Sequence, residues 1–183
     1  MQNKPDSLIT RDDCILLIID TQERLVPAVI DRDRIVSNII KLIRFANIIG
    51  LPVLVIEQKK LGPTFTPIKN ELRDFNPISK TEFDAAKCPA FLAALKKSGK
   101  KKLIVTGMES HICITQTVIH LLPKYTIHVI SDAISARTID NCTVAIERLR
   151  SSGAIVSSTE MIIYELMERA GTDEFEAVLP LIK

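Results

Sequence analysis

A doubly wound α/β fold is predicted by three features of the chain. Short apolar runs read as strands buried on both faces, helix-period segments separate them, and polar residues stand where the strands end. Cys14 to Ile19 (CILLII) has no charged or amide side chain, so neither face of that strand suits water; it ends at Asp20. A parallel sheet with helices on both sides hides such strands. Right-handed crossovers reduce the topologies to a few doubly wound orders.

The elements follow in turn. Ile35, Ile39, Leu42, Ile43, Ala46 and Ile49 recur at helical spacing, and Gly50 then Pro52 stop the helix. Val53 to Ile56 is the second strand, and Pro63-Thr64 with Pro67 mark a loop leading into a short helix. Ile78 to Lys80 is a brief third strand. Pro89 opens a helix that runs to Ser98 and is closed by Gly99. Leu103 to Thr106 forms the fourth strand, Ile112 to Leu122 its helix, and Ile127 to Ser131 the fifth strand. Asp140 caps a helix to about Ser152, Gly153 ends it, and Ala154 to Val156 is the sixth strand. Ser158 can cap the next helix, but Met161 replaces the Glu of a full capping box.

Composition narrows the function classes. At 183 residues the chain is one domain, 1–183, with a polar segment, 1–11, expected to be loosely ordered. The net charge of +2 gives no reason to expect nucleic acid or an acidic membrane. Lys96-Lys97 and Lys100-Lys101-Lys102 have no interleaved aromatics and read as a solvated helix end. No apolar run is long enough to span a bilayer. Cys14, Cys88, Cys113 and Cys142 are scattered without zinc-like spacing, which fits a reducing, cytoplasmic setting. Dinucleotide, phosphate-loop and nucleophile-elbow glycine patterns are missing, so a dehydrogenase or kinase is disfavoured.

In this fold class ligands bind beyond the carboxyl ends of the strands, where strand order reverses. Strand one delivers Asp20, strand three Lys80, and strand four leads through Gly107 to Cys113. A thiol at a strand-to-helix junction lies near the positive end of the helix dipole, which favours a thiolate. A carboxylate, an ammonium and a thiol in one crevice make a nucleophile with a base and a cation to activate it.

At these residues the chain resembles the isochorismatase-like hydrolases, also called the cysteine hydrolase superfamily. The matching features are the apolar strand ending in Asp20-Thr21-Gln22, then Lys80, then Thr106-Gly107 leading to Cys113. Glu57-Gln58, Leu61-Gly62-Pro63-Thr64, Gly107-Met108-Glu109 and Ser157-Ser158-Thr159-Glu160 are similar to the isochorismatase domain-containing subgroup.

The resemblance implies a Rossmann-like three-layer α/β/α fold whose six parallel strands lie in the order 3-2-1-4-5-6. It implies a catalytic triad of Asp20, Lys80 and Cys113, and a cis peptide between Met108 and Glu109. That bend would turn the backbone N–H groups of Glu109 and Cys113 toward the substrate carbonyl oxygen as an oxyanion hole. Family members are commonly homo-oligomers. Nicotinamidase-type members carry an Asp-x-His metal site after the second strand, where this chain has Glu57-Gln58-Lys59-Lys60, so no catalytic metal and no other cofactor are expected. Gln22, Leu25, Thr64, Phe65, Phe83 and Ile112 are candidates for the pocket wall.

The expected activity is therefore a metal-independent hydrolysis of an amide-like C–N bond in a small molecule, through a thioester on Cys113. The alternative is a protein of the same fold whose role is binding or assembly. A redox sensor built on Cys113 would need a resolving cysteine that the sequence does not place nearby.

Overall fold

The computed structural model describes residues 8–183. Six strands, β1 (Cys14–Ile19), β2 (Val53–Gln58), β3 (Ile78–Lys80), β4 (Lys102–Met108), β5 (Thr126–Ser135) and β6 (Ile155–Ser157), form one sheet. Their order is β3-β2-β1-β4-β5-β6 and all pairings are parallel, as the sequence led us to expect. The helices are α1 (Arg32–Ile49), α2 (Thr66–Lys69), α3 (Pro89–Ser98), α4 (Thr115–Leu121), α5 (Ile139–Ser151), α6 (Thr159–Met167) and α7 (Asp173–Ile182).

Alternation along β1 divides the core in two. Cys14, Leu16 and Ile18 join residues of α1, α6 and α7 on one face. Ile15, Leu17 and Ile19 join residues of α3, α4 and α5 on the other. All six β1 side chains are buried, so the absence of charge in CILLII follows from its position at the centre of the sheet.

Helix ends obey local chemistry. Gly50 and Gly99 take left-handed conformations that close α1 and α3. The Ser158 hydroxyl accepts from the Met161 N–H at 3.3 Å and caps α6. The cap of α5 is Thr138, not Asp140: its side chain accepts from the Asn141 N–H, and Asp140 sits inside the first turn. Of the segment 1–11, residues 1–7 lie outside the described residues, while Ile9 is buried and its N–H donates to Glu165 Oε2 at 3.2 Å.

Three strands run further than their apolar cores suggested, and β2 continues past Ile56 to Gln58. β4 continues through Gly107 to Met108, and β5 continues to Ser135. A register shift between Val105 and Gly107 lets Gly107 pair with Ile134 and Met108 with Ser135. The polar Ser131-Asp132 pair in β5 hid that continuation, because Asp132 serves as a local anchor. Its carboxylate accepts from the Thr159 N–H and hydroxyl at 2.8 and 2.9 Å.

One buried group makes the fold acid-sensitive. His128 on β5 is 1% exposed, and neither ring nitrogen has a hydrogen-bond partner. Burial, reinforced by Lys102, pushes its imidazole down to about 4. The unfolded chain takes up this proton near pH 6.5 and the folded chain does not, so stability falls as pH drops from there toward 4. We expect a loss of about 3 kcal/mol across that window and a flatter profile in His128→Leu. Urea denaturation between pH 7 and pH 4 measures both; equal acid slopes in the two proteins would remove this account.

Candidate active site

The site is assembled at the carboxyl edge of the sheet, where β1 lies between β2 and β4. β1 stops at Asp20, which turns to φ 55° while its N–H donates to Ile56 O at 2.9 Å. Aspartate tolerates this left-handed conformation better than a bulky or branched residue would. Lys80 ends β3, beyond β2, and its long side chain reaches back across the strand ends. Lys80 Nζ donates to Asp20 Oδ2 at 2.8 Å, and both side chains are fully buried.

Cys113 lies in a π-helical turn, Ser110–Ile114, that joins β4 to α4. Its thiol lies within range of the charges of both Asp20 and Lys80. The three residues drawn from distant stretches therefore meet in one place.

The electrostatics differ from the sequence expectation. Burial, with the Asp20 charge adding to it and Lys80 opposing, pushes the Cys113 thiol up to about 12. The first turn after β4 is π-helical and α4 begins at Thr115, so the sulfur sits inside the connection, 4% exposed, instead of in front of a free helix end. Burial also raises the Asp20 carboxyl, against the pull of Lys80. Acid and thiol are thus both poised to hold a proton, beside one fixed cation.

The bend before the nucleophile is made differently from expectation. The peptide between Met108 and Glu109 is trans, and no described peptide bond is cis. Glu109 supplies the turn with φ 59° and ψ 58°, after Gly107 at φ 131°. A left-handed residue costs about 1–2 kcal/mol, less than a cis non-proline bond.

The six pocket candidates do not form one wall. Gln22 is a strut: its Nε2 donates to Gln58 O at 2.8 Å and Gly62 O at 2.6 Å, and its Oε1 accepts from Gln58 N at 2.7 Å. Thr64 is held by Glu57 Oε1 through both its N–H and its hydroxyl. Leu25 and Phe65 pack against the α1-side core, and Ile112 packs against the opposite one. Phe83 is 58% exposed. Sequence hydrophobicity could not separate packing from lining here.

Other polar residues near the nucleophile turn were not foreseen. The Glu109 carboxylate is almost fully buried; Arg137 Nε lies 3.0 Å from its Oε1 and His111 Nδ1 3.5 Å from its Oε2. Gln58 accepts from Lys80 Nζ at 2.6 Å. Its signal was present in Glu57-Gln58, read as a likeness to the subgroup and as a place where metal ligands were missing, but not as part of the site. Among the described residues no three of His, Cys, Asp and Glu are grouped to hold a metal ion, and no helix is long and apolar enough to cross a membrane.

A buried acid, lysine and thiol at the carboxyl edge of a 3-2-1-4-5-6 sheet define a hydrolase of the isochorismatase-like class. The isochorismatase domain matches residues 14–161, and the chain belongs to that family. Isochorismatase domain-containing protein 2A of Mus musculus is 31% identical, over 96% of this chain and 85% of that protein. A Caenorhabditis elegans structure described as MAR1 ribonuclease superposes with a TM-score of 0.87 at 31% identity, covering 96% of this chain and 92% of its own. The YcaC product of Escherichia coli, an octameric hydrolase of unknown specificity, shares the fold at TM-score 0.91 and 22% identity, over 97% and 90% of the two chains.

Proposed function

We propose that this protein hydrolyses an amide-like C–N bond of a small molecule without a metal, through a thioester on Cys113. The observation that carries the reading is the fully buried Lys80–Asp20 pair, whose charges both act on the Cys113 thiol. Asp20 Oδ2 is held by Lys80, while Oδ1 has no conventional donor and is free to take the thiol proton. The thiolate so formed attacks the substrate carbonyl, and the N–H groups of Glu109 and Cys113 stabilise the oxyanion. Asp20 returns its proton to the nitrogen as the C–N bond breaks, releasing an amine and leaving the thioester. Water then loses a proton to Asp20 as it attacks. The acid departs, and the proton passes back to the sulfur.

Lys80 stays charged throughout and offsets the negative charge that moves between Asp20, sulfur and oxyanion. A sulfur 4% exposed, backed by fully buried partners, suits a compact carbonyl compound better than a folded polymer. The octameric neighbour and the exposed Ile139, Val144, Met161 and Tyr164 support a homo-oligomer. Four free thiols fit a reducing cytoplasm.

A screen of small amides and ureides, with single-stranded RNA as a further arm, tests the reading. Wild type should turn over at least one amide or ureide and show an acyl adduct on Cys113 by intact mass. In Cys113→Ala that turnover should fall by about 1,000-fold or more. An undiminished rate in the variant removes Cys113 as nucleophile, and turnover of RNA alone removes the substrate class.

A further inference from the structure

Gln58, the last residue of β2, holds the ammonium of Lys80. Its Oε1 accepts from Lys80 Nζ at 2.6 Å, and its Nε2 donates to Thr81 O at 2.8 Å. A carbonyl oxygen can only accept, so the Thr81 contact fixes which end of the amide is nitrogen and turns the oxygen to Lys80. The backbone of Gln58 is gripped too. Its N–H donates to Gln22 Oε1 at 2.7 Å, and its carbonyl accepts from Gln22 Nε2 at 2.8 Å. The side chain is thus anchored at both ends and cannot turn without breaking a bond.

We propose that Gln58 is a positioning residue for the reaction: its neutral amide oxygen aims the Lys80 ammonium at Asp20 and Cys113 without adding a second carboxylate to the site. The inference rests on the reading of Cys113 as nucleophile and adds to it the residue that sets the cation's direction.

A lysine side chain has four rotatable carbons and a compact charge with three donors, so one carboxylate does not fix where it points. Gln58 supplies the second fixed acceptor. Its neutrality matters as much as its reach. A carboxylate in the same place would put two negative charges against one ammonium, and both Asp20 and Cys113 would hold their protons more tightly. Proton transfer from sulfur to Asp20 would still occur, but the site would fill with protons at a higher pH. An apolar side chain of the same length would leave charge unchanged and remove the aim.

Two variants separate these roles. Iodoacetamide labelling of Cys113, followed peptide by peptide from pH 4 to 10, is compared in wild type, Gln58→Glu and Gln58→Met, with thermal unfolding as a check on the fold. Gln58→Glu is expected to move the acid limb of Cys113 labelling upward by about one pH unit or more while keeping its shape. Gln58→Met is expected to lower the labelling plateau by about ten-fold while leaving the limb near its wild-type position. Superimposable profiles in all three proteins overturn the proposal. The nearly isosteric Gln58→Glu keeps the test decisive if Gln58→Met does not fold.

The failure of the hydrolase reading has its own signature, wild-type Cys113 labelling no faster than Cys142. Positioning is then decided by crystal structures of wild type and Gln58→Met. A Lys80 side chain that keeps its rotamer and its 2.8 Å contact with Asp20 Oδ2 in the variant overturns the proposal, and one that swings away sustains it.

Discussion

Gly107→Ala should fail to give a stable folded protein. Gly107 lies where β4 passes β1, in register with Ile19, at φ 131°. A Cβ there would stand 2.0 Å from Ile19 O and 2.8 Å from both Ile19 C and Ile19 N. The obstacle is main chain at the centre of the sheet, so no side-chain rotation relieves it. The backbone angle adds to this, because residues with a Cβ rarely adopt it. We expect a loss of about 5 kcal/mol or more, which matches or exceeds the total stability of many domains. Soluble yield and thermal unfolding measure it. Gly99→Ala is the control: φ is 70° and nothing lies within 4 Å of the added carbon, so about 1–2 kcal/mol is expected. A Gly107→Ala protein melting within a few degrees of wild type would show that β1 and β4 can separate more easily than this contact implies.

Lys80→Met should be the second most damaging change, and its cost should depend on pH. The ammonium is fully buried against Asp20, so its removal strands a carboxylate. Breaking a buried pair from one side costs about 3–5 kcal/mol. Asp20 is already raised by burial with Lys80 opposing, and without Lys80 it rises further. In the unfolded chain it ionises near its ordinary value of about 3.9, while in the folded variant it keeps its proton. Unfolding therefore gains on folding as pH rises from about 4 toward neutrality, and the deficit of Lys80→Met should grow over that range.

The double variant Asp20→Asn/Lys80→Met removes both charges, and asparagine tolerates the left-handed turn. It should recover most of the loss, to within about 2 kcal/mol of wild type. Urea denaturation of the three proteins from pH 4 to 8 reads the difference. A deficit that is independent of pH, or a double variant no better than the single one, would mean that the ammonium acts through packing alone.

The fold was legible because its signals are repetitive. CILLII reads as a strand buried on both faces, and three of the following helices carried a stop signal in Gly50, Gly99 and Gly153. Asp20, Lys80 and Cys113 were legible for a different reason: each falls at a strand end or in the connection after one, and sheet topology brings those points together. What stayed hidden depends on three-dimensional neighbours. The direction of the thiol shift was misjudged because Cys113 is buried in a π-helical turn, and a π turn has no clear sequence mark. The cis bend gave way to a left-handed Glu109, a choice between backbone states that residue identity does not dictate. Nothing in the sequence signalled that Gln22 hydrogen-bonds the end of β2 or that Glu57 holds Thr64.

The partition of the interior by β1 also bears on how such a protein can change over time. Cys113 belongs to the cluster beneath α3, α4 and α5, while the cluster beneath α1, α6 and α7 contains none of Asp20, Lys80 and Cys113. Substitutions can accumulate in the latter half, altering helix contacts and outer surfaces, without displacing the sulfur. Drift in the former half moves the chemistry itself. Descendants of this chain should diverge fastest on the side that carries no reactive group.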